Sequence, residues 1–392
     1  MVSLTMISLM NDIHLQVIFG IITDAQNFTT YVPTQKEIEM SKAHIWVRAE
    51  TKPMEERRAL SPKNAGKLVE AGFKVTVEDS RQSIFQAKDY HVNGCEIVPE
   101  NEWCQYTPQD AYILGLKNLN EDQTPLTGKH IYFAHVYKEQ EGWKDVLTRF
   151  QKGQGLLYDL EYLIDQNGRR IAAFGYWAGF IGSAVAIRAW IHQQKEQELR
   201  DLTSFKGQND LITLVREGLS GRTPRIIVIG SKGRCGQGAV SMANQVGLDV
   251  TEWDMEETIL GGPFPEILEH DIFINCVFVD RKLPPFLDQE LIMRKNRKLS
   301  TICDVTCDPD SDCNLLPIYR KCTNFQTPVN RIIENPNPLD LVAIDHLPSM
   351  LPAESSEDFS AQLLPYLLDI ERDCDQVWSR AGSIFKNKIR EL

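Results

Sequence analysis

The chain has 392 residues, enough for two domains with separate cores, and its 42% hydrophobic and 24% charged content is that of an ordinary globular protein. A formal net charge of −12 argues against general nucleic-acid binding, which needs a basic face, and no apolar stretch is long enough to cross a membrane. Nine cysteines spread over this length are no disulfide framework, so a reducing, cytoplasmic location is expected.

Residues 1–39 read as an N-terminal extension, poorly ordered and of little weight for function. Its apolar patch, Val17 to Ile22, lacks a basic start and follows an early Asp12, so it fits neither a signal nor a transit peptide. Met40 is a plausible alternative start. Ile45-Trp46-Val47 reads as the first strand, followed by a charged loop from Arg48 to Arg58. Ser61-Pro62 is an N-cap with proline in the first turn, and Gly72 closes that helix. Strands follow at Phe73 to Val77 and Glu96 to Val98. The runs Ala111–Leu116 and His130–Ala134 are short, apolar and bounded by polar residues, as buried parallel strands are. The first leads into Lys117 and the second into His135. Open α/β sheets bind ligands beyond the carboxyl ends of their strands. The pattern therefore places an amine and an imidazole at the mouth of one cleft, where they suit proton transfer. Position alone favours two surface residues that end two strands, until the nucleotide-binding signature further along is added. A helix from Trp143 to Phe150 and a strand at Gly155 to Tyr158 continue the alternation.

Gly175, Gly179 and Gly182 open a long helix that reads as a connection at an interdomain hinge, and Gln193 to Asp210 as an exposed, polar excursion. The β-branched run Arg225 to Ile229 then enters Gly230-Ser231-Lys232-Gly233-Arg234-Cys235-Gly236. Apolar residues at Ala239, Met242, Ala243 and Val246 follow at helical spacing. Strand, glycine loop and helix are the context that a dinucleotide fingerprint requires, although the spacing is G-x-x-G-x-x-G and not G-x-G-x-x-G. The helix N-terminus offers unpaired N–H groups to a pyrophosphate. The next strand, Leu248 to Trp253, ends on Asp254, placed to grip ribose hydroxyls; Glu256 and Glu257 follow with no arginine for a 2′-phosphate, which favours NAD over NADP. Further strands are expected at Asp271–Cys276 and Thr301–Asp304, and a last amphipathic helix at Val377, Ala381, Ile384 and Lys388. Cys303, Cys307, Cys313 and Cys322 contain no C-x-x-C pair and the histidines no H-E-x-x-H, so no metal is expected. The fold expected is α/β, two Rossmann-like domains with doubly wound parallel sheets and a cleft between them. Residues 40–173 with 353–392 would form the substrate domain and 174–352 the NAD domain.

From Ile45 onward the chain resembles the NAD-dependent, lysine-forming saccharopine dehydrogenases. The motifs that carry this are Arg48-Ala49-Glu50-Thr51-Lys52-Pro53 with Glu55 and Arg57, Gly115-Leu116-Lys117, and Phe133-Ala134-His135-Val136-Tyr137-Lys138. Tyr158-Asp159-Leu160-Glu161, Gly168-Arg169-Arg170, Ala172-Ala173-Phe174-Gly175, Gly233-Arg234-Cys235-Gly236, Gly261-Gly262-Pro263-Phe264 and Ile344-Asp345-His346-Leu347 extend the match. Alanine dehydrogenase and its transhydrogenase relatives are a broader cousin that shares less of this set. The resemblance implies oxidation of saccharopine by NAD and hydrolysis to lysine and 2-oxoglutarate. It implies Lys117 as the base toward the substrate amine and His135 as the acid–base group for water addition. Substrate contacts would be Lys117, Arg57, Gln140, Arg170, Phe174, Thr306, Cys307 and Asp308, the last three departing from the serine-and-alanine version of the family. Cofactor contacts would be Arg169, Gly233, Arg234, Asp254, Thr258, Phe278, Val305, Ile344, Asp345, His346 and Leu347. Glu55, Lys138 and Glu161 are candidates for tuning proton affinities, with Lys138 a candidate neighbouring cation for Lys117. Cys235 is either a redox-sensitive gate of the cofactor loop or a small packing residue. The family is usually monomeric, and Arg390-Glu391-Leu392 is not a peroxisomal S-K-L-like ending. An alanine-dehydrogenase-like enzyme and a non-catalytic NADH-sensing module remain as rival readings. The second would have dropped the proton-transfer pair, and the first would need fewer arginines than Arg57 and Arg170 together.

Overall fold

A computed structural model describes residues 42–392 apart from 118, 120, 121, 140 and 141. The extension 1–39, the alternative start at Met40 and Gln140 lie outside the described residues.

Apolar runs of three to five residues form the strands of two six-stranded sheets. The first contains β1 (His44–Val47), β2 (Lys74–Glu78), β3 (Glu96–Val98), β4 (Tyr112–Leu114), β5 (Lys129–Tyr132) and β6 (Leu156–Asp159). Its order is β3-β2-β1-β4-β5-β6, parallel throughout. The second contains β7 (Ile226–Ile229), β8 (Val250–Trp253), β9 (Ile272–Asn275), β10 (Thr301–Asp304), β11 (Asn330–Ile333) and β12 (Leu339–Val342). Its order is β11-β12-β10-β9-β7-β8, and only the edge strand β11 runs antiparallel. Both sheets are doubly wound. The chain leaves β1 toward β2 and returns on its other side as β4, and leaves β7 toward β8 and returns as β9. Each strand pair therefore forms a switch point, where the loops beyond the carboxyl ends diverge and leave a crevice.

Helices cover both sheets. In the first turn of α1 (Pro62–Glu70) Ser61 accepts a hydrogen bond from the Asn64 N–H, the cap that a serine before proline signals. Helix α2 (Trp143–Gly153) packs Leu147 and Phe150 into the core beneath β5 and β6. Helix α3 (Gly175–Gln194) is buried on nearly every side and joins the core of the second sheet with Ile226, Val228, Ile272 and Ile274. Two of its glycines serve close packing. A Cβ on Gly179 would lie 1.8 Å from the Cys235 carbonyl oxygen, and one on Gly182 would lie 2.9 Å from Val305. The segment after α3 is largely exposed, as expected, but is anchored at two points. Leu199 and Leu202 are buried, and the Leu202 N–H donates to Phe325 O at 2.7 Å. The helix α4 (Gln208–Leu219) follows, and α5 (Arg234–Gln245) leaves the glycine loop. The last two, α6 (Pro352–Leu368) and α7 (Val377–Lys388), return to the first sheet, where Phe359, Leu363, Trp378 and Ala381 share a core with β1, β2 and β4.

Candidate active site

Arg48 to Arg58, the loop beyond β1, is charged in sequence yet folds inward, with Arg48, Glu50, Glu55, Arg57 and Arg58 all buried. Buried charges persist only when paired and hydrogen-bonded. Arg57 meets Glu55 as a fork, Nε to Oε1 at 2.8 Å and Nη2 to Oε2 at 2.7 Å, and its guanidinium lies 4.5 Å from the centre of the Phe174 ring. Burial pushes the Glu55 carboxyl up, but Arg57 and then Lys117 outweigh it and hold the carboxyl below its ordinary range.

Lys117 stands beyond β4, next to that pair. Burial, first, and Arg57, second, push its amine below the usual lysine value, against Glu55; Lys52 adds to the push and Asp345 opposes it. The cation that depresses Lys117 is therefore Arg57, seconded by Lys52. Lys138, the neighbour expected from the sequence, instead donates to Glu161 at 2.7 Å. Lys117, Lys52 and Glu55 from the first sheet line a pocket of about 60 Å³ together with Phe325, His346 and Ser349 from the second. The His346 ring packs on Phe325 at 4.5 Å, and burial, followed by the opposed effects of Asp345 and Lys117, leaves it below the usual histidine value. Lys117, Glu55, Arg57 and the Asp345-His346 pair are thus one cluster at the junction of both sheets.

His135 follows β5 in a left-handed backbone conformation, φ 56°, uncommon outside glycine. Its ring stacks on Phe133, which packs against Phe174 and Phe359, so an aromatic ladder links it to the Arg57 guanidinium. Its Nδ1 is 3.5 Å from Glu161 Oε2, close enough for an ion pair but too long for a good hydrogen bond. The Glu161 carboxyl is held down to about 2, chiefly by His135, which with Lys138 overcomes burial. Beneath them at the end of β6 lies Asp159, fully buried, its Oδ1 accepting the Glu161 N–H at 2.9 Å and its Oδ2 without a hydrogen-bond partner. Asp159 carries no role in the sequence reading, because a carboxylate inside a strand-end motif gives no sign of its burial. Arg170 is exposed, and its carbonyl oxygen accepts from Arg234 Nη2 at 3.1 Å, a direct bond between the two halves.

The loop between β7 and α5 has the build of a phosphate cradle. Gly230 has φ 87°, and a Cβ on Gly236 would lie 2.0 Å from Gly230 O, so both positions require glycine. Gly233 caps α5 with no side chain closing its N-terminus, which leaves the first-turn N–H groups for an anion. Asp254 ends β8 and turns its carboxylate to this loop, accepting from Lys232 N at 2.9 Å and from Met255 N at 2.9 Å. Thr258 donates from its hydroxyl to Asp254 O at 2.8 Å. These residues fit a dinucleotide: glycine loop, free helix N-terminus and a carboxylate one strand away.

The remaining candidates are less convergent. Arg169 is exposed, its N–H donating to Asp165 Oδ1 at 2.9 Å, and Phe278 is 69% exposed beyond β9. Ile344 and Leu347 are core residues, each 1% exposed. Val305 packs on that same core. The Thr306 hydroxyl donates to Asp304 Oδ1 at 2.7 Å, Cys307 donates to Ala343 O at 3.1 Å, and Asp308 is exposed. Cys235 sits where α5 meets α3, beside the partly buried Cys276. Among the described residues no group of three His, Cys, Asp or Glu side chains is arranged to hold a metal, and no helix is long and apolar enough to cross a membrane.

Residues 46–181 match the model of the alanine dehydrogenase/PNT N-terminal domain family. The fold is shared with a solved L-alanine dehydrogenase at TM-score 0.61 and 18% identity, over 87% of this chain and 93% of that one. The chain is 45% identical over 370 residues to the NAD(+), L-lysine-forming saccharopine dehydrogenase of Schizosaccharomyces pombe, covering 90% of this chain and 100% of that protein. It is 46% identical to that of Emericella nidulans, covering 90% and 99%. At that identity and coverage the chain belongs to the NAD-dependent, lysine-forming saccharopine dehydrogenases.

Proposed function

We propose that the protein oxidises saccharopine with NAD and, by adding water, releases L-lysine, 2-oxoglutarate and NADH, a reversible reaction that ends lysine biosynthesis through α-aminoadipate. The observation that carries this is Lys117, depressed by burial and by Arg57, just beyond β4, with His135 just beyond the neighbouring β5. NAD, held by Gly233, Arg234, Asp254 and the loop from Ile344 to Leu347, supplies the hydride acceptor. Lys117 takes the proton of the substrate's secondary amine, a task for which a lysine must first be brought toward neutrality. His135 takes a proton from the water that adds to the resulting imine and returns it to the departing amine as the carbinolamine collapses. Glu161, charged throughout the physiological range, stabilises the imidazolium in between. Saccharopine carries three carboxylates, which suit guanidinium forks. Arg57 already gives Nε and Nη2 to Glu55, so a substrate carboxylate would take its Nη1, with Arg170 holding another. Residues 40–173 with 353–392 are assigned to the substrate and 174–352 to NAD, in a cytoplasmic monomer without nucleic-acid or membrane partners.

The test is NADH formation with saccharopine, alanine and glutamate offered separately, with NAD and then NADP. Turnover with saccharopine and NAD alone is expected. Turnover with alanine would move the protein to the cousin family and remove the role of Arg170. Tight NADH binding with no turnover on any of them would make it a sensing module.

A further inference from the structure

Two buried charged side chains have no part in that chemistry, and both end on the main chain of Lys117. Glu50 is 5% exposed; its Oε1 accepts the Leu116 N–H at 2.7 Å and its Oε2 the Lys117 N–H at 2.9 Å. Arg48 is 2% exposed; it donates from Nη2 to the Lys117 carbonyl oxygen and from Nη1 to Ala49 O at 3.3 Å. The two side chains face each other at 3.6 Å. Both come from the loop beyond β1, whose Val47 is in parallel register with Leu114 of β4, so the residues just past the two strand ends stand side by side. The guanidinium crosses so close above Gly115 that a Cβ there would lie 2.3 Å from Arg48 Nε. Glycine at that position is what admits it.

Taking a carboxylate and a guanidinium out of water costs several kcal/mol for each ion. At a cleft mouth, strand-end N–H and C=O groups can be satisfied by water instead. A charged pair placed on three such groups, in consecutive peptides, holds that short stretch of main chain rigidly. We infer that Arg48 and Glu50 are positioning residues that clamp the main chain of Leu116 and Lys117, on the N–H groups of both and on the Lys117 carbonyl, and so fix where Lys117 presents its amine. The charges that act on that amine are a separate set, Arg57, Glu55, Lys52 and Asp345. One layer tunes Lys117 and another mounts it. The inference rests on the reading of Lys117 as the base.

A kinetic double-mutant cycle tests it. Glu50→Gln turns an N–H₂ group toward one of the two N–H donors and opens half of the clamp. In the parent background kcat should fall about tenfold or more, the scale on which misplacement of a reacting group is felt. In a Lys117→Met background the same change should cost less than about twofold, since no amine is left to aim. NADH titration counts folded sites, so each rate is taken per folded site, and the KM for NAD should be unchanged. Should Glu50→Gln fail to fold, Glu50→Asp keeps the charge and withdraws it by one methylene, and the same cycle applies with a smaller loss. Equal losses in both backgrounds would overturn the clamp while leaving Lys117 as the base. Undiminished turnover in Lys117→Met would overturn the base and the clamp together.

Discussion

Lys117 and His135 follow the neighbouring strands β4 and β5, yet one is enclosed by paired charges and the other is left open. Lys117 is set among Arg57, Glu55 and Lys52, its peptide held by Glu50 and Arg48. The His135 side chain is 37% exposed, with Glu161 on one side and the Phe133 ring against its face. The difference follows from where each group type titrates. An amine must be pushed down several units to act as a base near neutrality, and only burial and adjacent cations do that. An imidazole titrates in that range by nature, and its work on water requires access.

Removing each group should expose this asymmetry most strongly. Lys117→Ala and His135→Ala should each lose about 10²–10⁴ in kcat, the usual contribution of a general acid–base group. Added imidazole should restore part of the His135→Ala loss, because the site it must enter is open to solvent. Added ethylamine should restore far less of the Lys117→Ala loss. Comparable rescue at both positions would break the contrast. A smaller effect is expected from Glu55→Gln. Glu55 raises the proton affinity of Lys117 against burial and Arg57, so its removal should move the acidic limb of kcat/KM to lower pH. A limb that moves upward, or stays, would place the control of Lys117 elsewhere.

Much of this site was legible from the chain. Short apolar runs ending on Lys117 and His135 announced strand ends, and strand, glycine loop and helix announced the dinucleotide half. What stayed hidden are consequences of packing. The loop from Arg48 to Arg58 has the composition of a solvated segment, and only the fold reveals that it turns inward and pairs its charges. Lys138 lies three residues from His135 in sequence and points to Glu161, whereas Arg57, sixty residues from Lys117, is the cation that reaches it. The edge strand β11 escaped notice because its half-exposed Asn330–Ile333 lacks the apolar run that marks the buried strands.

Asp159 offers the finest test, because it and Glu161 stand two residues apart beside one imidazole and are driven in opposite directions. Burial, the largest influence, pushes Asp159 up to about 6, against the backbone N–H of Glu161, the His135 ring and the backbone N–H of Ala134. Glu161 is held near 2. A carboxyl raised on folding binds its proton more tightly in the folded chain than in the unfolded one. Its contribution to stability is therefore whole below the unfolded value of 3.8, is lost as pH climbs to about 6, and stays lost above. Asp159→Asn cannot ionise and still offers an acceptor to the Glu161 N–H. At about pH 8 it should be more stable than the parent by on the order of 2 kcal/mol in urea unfolding, an advantage that vanishes toward about pH 4. An advantage that is constant with pH would mean that Asn simply packs better. No advantage at pH 8 would mean that the buried carboxylate is stabilised by its partners, and the division of labour between the two acids would then have to be redrawn around His135.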